Sequence, residues 1–175
     1  MIKSLLLIVV LVLVAVVAAF VWTQFNWHPL PRSAHANRIL VEKSARRLVL
    51  YDSADHVLKS YRVALGRSPI GTKHEEGDCR TPEGIYLIDA RNEKSDFHHA
   101  LHISYPDAND LASAERRGLS AGGDIMIHGL PNGRDWMGAW HRRRDWTAGC
   151  IAVTDKEIEE IWRAVDEGTP IEIRP

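Results

Sequence analysis

Between Arg38 and Ile173 the apolar residues come in short runs, each cut off by glycine, proline or charged residues. Ile39-Leu40-Val41, Leu48-Val49-Leu50-Tyr51, Ile85-Tyr86-Leu87-Ile88, Leu101-His102-Ile103, Ile125-Met126-Ile127 and Ile151-Ala152-Val153 have the length of strands. The polar Lys43 to Arg46 between the first two reads as a hairpin turn, and Val57 to Leu65 alternates like a third strand. Pro170-Ile171-Glu172-Ile173 reads as a closing strand. Gly66 to Gly84 carries four glycines and two prolines and reads as a long structured loop. Two helices fit the rest. Asn109 or Asp110 caps one that runs to Arg117 and stops at Gly118. Thr154 and Glu157 form a capping box for the other, with Ile158, Ile161, Trp162 and Val165 on its buried face and Gly168 at its end. About seven strands and two short helices make a mainly β (α+β) domain.

The N-terminus differs in kind. Lys3 precedes 17 uncharged apolar residues, Leu5 to Val21, at the lower edge of a membrane span. No small-residue cleavage site follows directly, so the expectation is an uncleaved signal anchor over residues 1–22 rather than a removed signal peptide. Lys3 places its start on the cytoplasmic side, and Trp22 and Trp27 suit the outer interface. Residues 23–36, with Pro29, Pro31 and Ser33, read as a linker, leaving 37–175 as the folded domain. The resulting expectation is a single-pass membrane protein whose domain is exported. A net charge of −1 supplies no field for nucleic acid, and Arg142-Arg143-Arg144 is the one dense basic run.

Two residues carry the candidate chemistry. His128 ends an apolar run and precedes Gly129; Cys150 follows Thr147-Ala148-Gly149 and opens another run. A cysteine nucleophile needs a nearby base, which need not be close in sequence. A neutral imidazole would take the thiol proton, and the carbonyl of Gly129 would orient the ring with no aspartate required. Thr147 and Gly149 form a small-residue turn whose amides suit a developing oxyanion. Against this, an exported domain whose only cysteines are Cys79 and Cys150 also reads as one with a single disulfide.

The other candidates divide between structure and substrate. Arg80, in Gly77-Asp78-Cys79-Arg80-Thr81-Pro82-Glu83-Gly84, either clamps a substrate carboxylate or belongs to a structural Asp–Arg pair. His98, His99 and His102 have no common zinc spacing, so no metal is expected, and His102 reads as a pocket or core residue. Trp136, Trp140 and Trp146, beside Arg144, form either a self-packed loop or a lid touching glycan or peptide.

His128-Gly129 followed by Thr147-Ala148-Gly149-Cys150-Ile151-Ala152-Val153, with the upstream Gly-Asp-x-Arg-Thr-Pro-x-Gly element, resembles the L,D-transpeptidase catalytic domain (YkuD) family over about residues 37–174. The resemblance implies a β-sandwich or barrel-like fold, Cys150 as nucleophile, His128 as proton acceptor and Gly129 as its orienting carbonyl. It implies peptidoglycan stem peptides as substrates and, with the expected anchor, a single-pass protein of the bacterial inner membrane with its domain in the periplasm or cell-wall space. The thioester would pass to a second stem peptide, a lipoprotein lysine, a free amino acid or water, and no cofactor is implied. A hydrolase of the same fold is the runner-up, and an inactive wall-binding module the third reading. Two positions depart from the family pattern: Ala152 stands where an arginine is usual, and Thr147 where serine is commoner. Arg80, His102, Arg144 and Trp146 are the substrate-binding candidates, and Cys79 is a candidate partner for a disulfide with Cys150.

Overall fold

A computed structural model describes residues 2–24 and 29–175, with the side chains of the first helix described over 8–19. Eight strands form one sheet: β1 (Arg38–Glu42), β2 (Arg47–Tyr51), β3 (Val57–Arg62), β4 (Gly84–Ser95), β5 (His98–Ile103), β6 (Met126–His128), β7 (Ile151–Ala152) and β8 (Pro170–Arg174). Their spatial order is β3-β2-β1-β8-β4-β5-β6-β7. The β1–β8 and β6–β7 pairs are parallel and the rest antiparallel. Helices α1 (Ile2–Gln24), α2 (Ala108–Glu115) and α3 (Asp155–Ala164), with a 3-10 segment at Asp135–Arg143, complete the elements.

The sheet curls until its two ends meet. The alternating segment expected as one strand to Leu65 leaves β2 after Arg62 and changes partner. Ala64 exchanges two backbone bonds with Ala152 in β7, 2.8 and 2.9 Å, and the Leu65 carbonyl accepts the Thr147 amide at 3.1 Å. Ile39, Val41, Leu48, Leu50, Ile88, Leu101, Ile103, Ile127 and Ile151 fill the interior with α3 residues Ile158 and Ile161. β1 and β2 are buried at three consecutive positions, as their continuous apolar runs require, whereas β4 and β8 alternate between buried and more exposed positions.

Helix α3 closes the core. Its Glu157 carboxylate accepts the Thr154 amide at 3.0 Å and the Thr154 hydroxyl at 2.7 Å. At the other end the Arg91 guanidinium donates to the Trp162 and Val165 carbonyls, 2.9 and 2.7 Å, groups that lack helical partners. The helix ends at Ala164, and Gly168 lies in the turn that follows. Helix α2 begins two or three residues before the expected start, because Asp107 caps it by accepting the Asn109 and Asp110 amides. Residues expected as linker are partly packed: Leu30 and Ala36 are buried, and Ala36 donates to the Ala164 carbonyl at 2.7 Å.

The expected inner-membrane placement is corrected. Among the described residues no helix is long and apolar enough to cross a membrane. The side chains of Lys3, Trp22 and Trp27, expected as orientation and interface signals, lie outside the described residues.

Candidate active site

The parallel pairing of β6 and β7 sets Ile127 beside Ile151 and His128 beside Ala152. Residues paired across adjacent strands share a face, and so do residues two apart along a strand. His128, Met126 and Cys150 therefore emerge on one side, where they line a cavity of about 430 Å³. The β4–β5 hairpin contributes Asn92, Ser95, Asp96 and Phe97, and Asp124, Trp146, Thr147 and Ala148 complete the wall. Phe97, Asp96 and Asp124 escape sequence reasoning, because nothing local ties a hairpin tip to a residue thirty positions later.

His128 is buried and its tautomer is fixed. Its Nδ1 lies 2.7 Å from the Gly129 carbonyl oxygen. A carbonyl only accepts, so Nδ1 carries the hydrogen and Nε2 keeps its lone pair. Burial holds the imidazole below its usual pKa, opposed in part by the Gly129 bond. Phe97 covers the ring at a centroid distance of 4.6 Å, and Trp146 meets it edge-on at 5.8 Å. The Trp146 indole donates to Nδ1 of the buried His141 at 3.3 Å, and burial pushes His141 down to about 3.

Cys150 is half-buried, and its thiol donates to the Asp124 carbonyl at 3.4 Å. Burial pushes the thiol above its usual pKa, with the Met126 amide pulling the other way. The resting pair is thus a neutral thiol and a neutral imidazole, not a preformed thiolate–imidazolium. Gly149 has φ +142°, and a Cβ there would lie 2.8 Å from the Arg80 carbonyl oxygen, so only glycine fits. Thr147 closes the turn by donating to the Cys150 carbonyl at 2.7 Å and accepting the Gly149 amide at 3.1 Å. That amide is committed to Thr147 and does not face the cavity as a free donor.

Three substrate candidates do not line the cavity. Arg80 directs its guanidinium to the Thr72 carbonyl at 3.5 Å. Asp78, in the same loop, accepts the His74, Glu75 and Arg80 amides and pairs with Lys73 at 2.9 Å, so its role is to hold the loop. His102 pairs with Asp89 at 2.6 Å, and Arg144 is exposed. Trp146 does line the cavity, whereas Trp136 and Trp140 are exposed, with the Arg143 guanidinium over the Trp140 ring. Ala152, where the family pattern has arginine, is completely buried and pairs with His128 on one side and Ala64 on the other. The other two histidines take separate partners: His98 pairs with Glu159 at 3.0 Å, and His99 stacks on Trp162. Both cysteines are free; the Cys79 sulfur accepts from Arg67 at 3.1 Å and donates to the Gly77 carbonyl at 3.4 Å.

Residues 36–173 match the L,D-transpeptidase catalytic domain (YkuD) family. The chain belongs to that family. Among curated proteins it is 30% identical over 132 residues to the Escherichia coli (strain K12) protein named "Putative L,D-transpeptidase YafK", covering 73% of this chain and 46% of that protein. Among solved structures it is similar to the helical cell shape determining protein Pgp2 of Campylobacter jejuni, with a TM-score of 0.60 and 23% identity, over 81% of this chain and 48% of that one. Bd1075 of Bdellovibrio bacteriovorus superposes with a TM-score of 0.55 at 22% identity, over 83% of this chain and 50% of that one. These two structures share the fold. The chain spans about half the length of these relatives. The L,D-transpeptidase fold is thus a mainly β curled sheet with a few short helices, here with His128 and Cys150 on adjacent strands at its seam.

Proposed function

We propose that the protein is a peptidoglycan L,D-transpeptidase, a cysteine acyltransferase acting on stem tetrapeptides in cell-wall cross-linking or remodelling. The observation that carries this reading is the fixed tautomer of His128. Its Nδ1–H is spent on Gly129, so the bare Nε2 is the nitrogen left to serve the thiol in the shared cavity.

The chemistry follows from the neutral pair. Nε2 takes the Cys150 proton as sulfur attacks the carbonyl of the third stem residue, so charge develops only in the transition state. The imidazolium then gives that proton to the departing D-alanine amine as the C–N bond breaks, leaving a thioester. An incoming amine attacks the thioester, loses its proton to Nε2, and Cys150 leaves as the thiol. Stem peptides are the substrate class on which the family acts; a lipoprotein amine in the same acceptor position would need no change to the donor chemistry.

Two observations bear on the other readings. An inactive module locked by a Cys79–Cys150 disulfide is disfavoured by two free thiols whose sulfurs bond to different groups. A hydrolase uses the same nucleophile and base, and only the acceptor separates it from the transferase. Full-length protein incubated with tetrapeptide muropeptides and an amine acceptor should release D-alanine and yield transfer products, and Cys150→Ala should lower the rate by at least about a thousandfold. Turnover surviving that substitution would defeat the assignment, and hydrolysis with no amine transfer would favour the hydrolase.

A further inference from the structure

We infer that Asp155 is a positioning residue that completes a Cys–His–carboxylate relay through the Gly129–Leu130 peptide bond. The inference deepens the reading of Cys150 and His128 as the reacting pair and rests on it.

Three distances define the relay. His128 Nδ1–H donates to the Gly129 carbonyl oxygen at 2.7 Å. The amide of Leu130, in the same planar peptide unit as that carbonyl, donates to Asp155 Oδ1 at 2.7 Å. A Cβ at Gly129 would lie 2.7 Å from that same Oδ1, so the carboxylate is seated against the unit and not merely near it. A carboxylate drawing on an N–H polarises the amide and makes its carbonyl a stronger acceptor, the cooperative behaviour of linked hydrogen bonds in a low-dielectric setting. The negative charge of Asp155 thereby reaches His128 without contact. A carboxylate bonded directly to Nδ1 does the same in the familiar triad; here one peptide unit stands between.

The surroundings make the unit rigid. The Gly129 amide donates to the Phe97 carbonyl at 3.0 Å, and Asp155 is the first residue of α3, where a negative charge is favoured. The charged and titratable groups around the imidazole are few. Cys150, Asp96 and Asp124 line the cavity with it; His141 lies behind Trp146, and His98 beside Gly129 pairs with Glu159. None of them bonds to the Gly129–Leu130 peptide; Asp155 does.

Asp155→Asn in the full chain tests this, because it keeps an acceptor and removes the charge. The His128 imidazole titration, followed by NMR, should move down by about half a unit, as a base that has lost a nearby anion becomes weaker. Alkylation of Cys150 by iodoacetamide at neutral pH should slow several-fold. A residue that only props the loop would give the opposite sign: a loosened, hydrated imidazole titrates closer to 6.5. Asp155→Ser, a residue favoured at helix starts, serves if asparagine disturbs folding. An unchanged or upward titration in a folded variant overturns the relay, and failure of both variants to fold overturns it in favour of a structural clamp. Neither readout needs turnover, so a wild-type chain that moves no acyl group would sink the transferase reading and leave this result standing.

Discussion

His128 is held from three sides. Its Nδ1 hydrogen is bonded to Gly129, Phe97 covers one face of its ring, and Trp146 stands at its edge. The apolar walls lower its affinity for a proton, so the imidazole stays neutral below its ordinary pKa of about 6.5. Activity should therefore persist below pH 6.5 and be lost only as pH falls through the depressed value. A pH–rate profile for kcat/KM with its acidic limb at or above 6.5 would contradict this placement. The alkaline side belongs to the thiol, raised by its own burial.

At this scale the sequence was informative where chemistry and local turn coincide. His128-Gly129 and Gly149-Cys150 could be singled out because a reactive residue beside glycine at a strand end is unusual. Asp155 could not, since it looks like any acidic residue in a first helical turn; its bond to Leu130 spans 25 positions. Arg80 reads equally as a substrate clamp or as half of an Asp–Arg pair; its amide donates to Asp78, and its guanidinium reaches the Thr72 carbonyl in a loop held by Asp78, Lys73 and Thr81.

Among the elements, the β4–β5 hairpin does most to finish the site. Its tip supplies the Phe97 ring and also the Phe97 carbonyl that accepts the Gly129 amide. Phe97→Ala keeps the backbone bond and removes the cover. Water then reaches the imidazole, and the acidic limb of the pH–rate profile should shift up toward 6.5 with kcat reduced about tenfold. Phe97→Leu, which retains apolar bulk, should restore most of the limb's position; equal shifts in both variants would mean that the ring acts in some other way. The hairpin itself was read only as two separate strands, Ile85 to Ile88 and Leu101 to Ile103. Asp89 to Ser95 are polar enough to pass for loop, and their strand pairing is set by β5 across the sheet. Helix α3 was far more legible, because Thr154, Glu157 and the Ile158/Ile161 spacing are all local signals.

For the molecule as a whole, burial of neutral histidines links folding to acid. His141 titrates at about 3 when folded and His128 below its ordinary value, whereas both take protons near 6.5 in the unfolded chain. The unfolded state then binds more protons as pH drops from 6.5, and stability must fall in that direction. Denaturant unfolding should show a free energy that is level above about pH 7 and smaller by a few kcal/mol near pH 4. His141→Phe should flatten that slope, and an identical slope in the variant would remove His141 from the account. Fold class was legible at this scale from the short apolar runs. Ring closure was not, because it depends on Ala64 and Leu65 turning from β2 to meet Thr147 and Ala152.

The double hold of Phe97 on the imidazole has a further consequence. The hairpin that lines the cavity is also bonded, through its Phe97 carbonyl, to the amide of Gly129, the residue whose own carbonyl orients His128. The same amide also donates to the His99 carbonyl at 3.3 Å, so both bonds that hold it come from this one hairpin. Wall and imidazole are thus coupled: whatever moves the hairpin also moves the residue whose carbonyl orients His128.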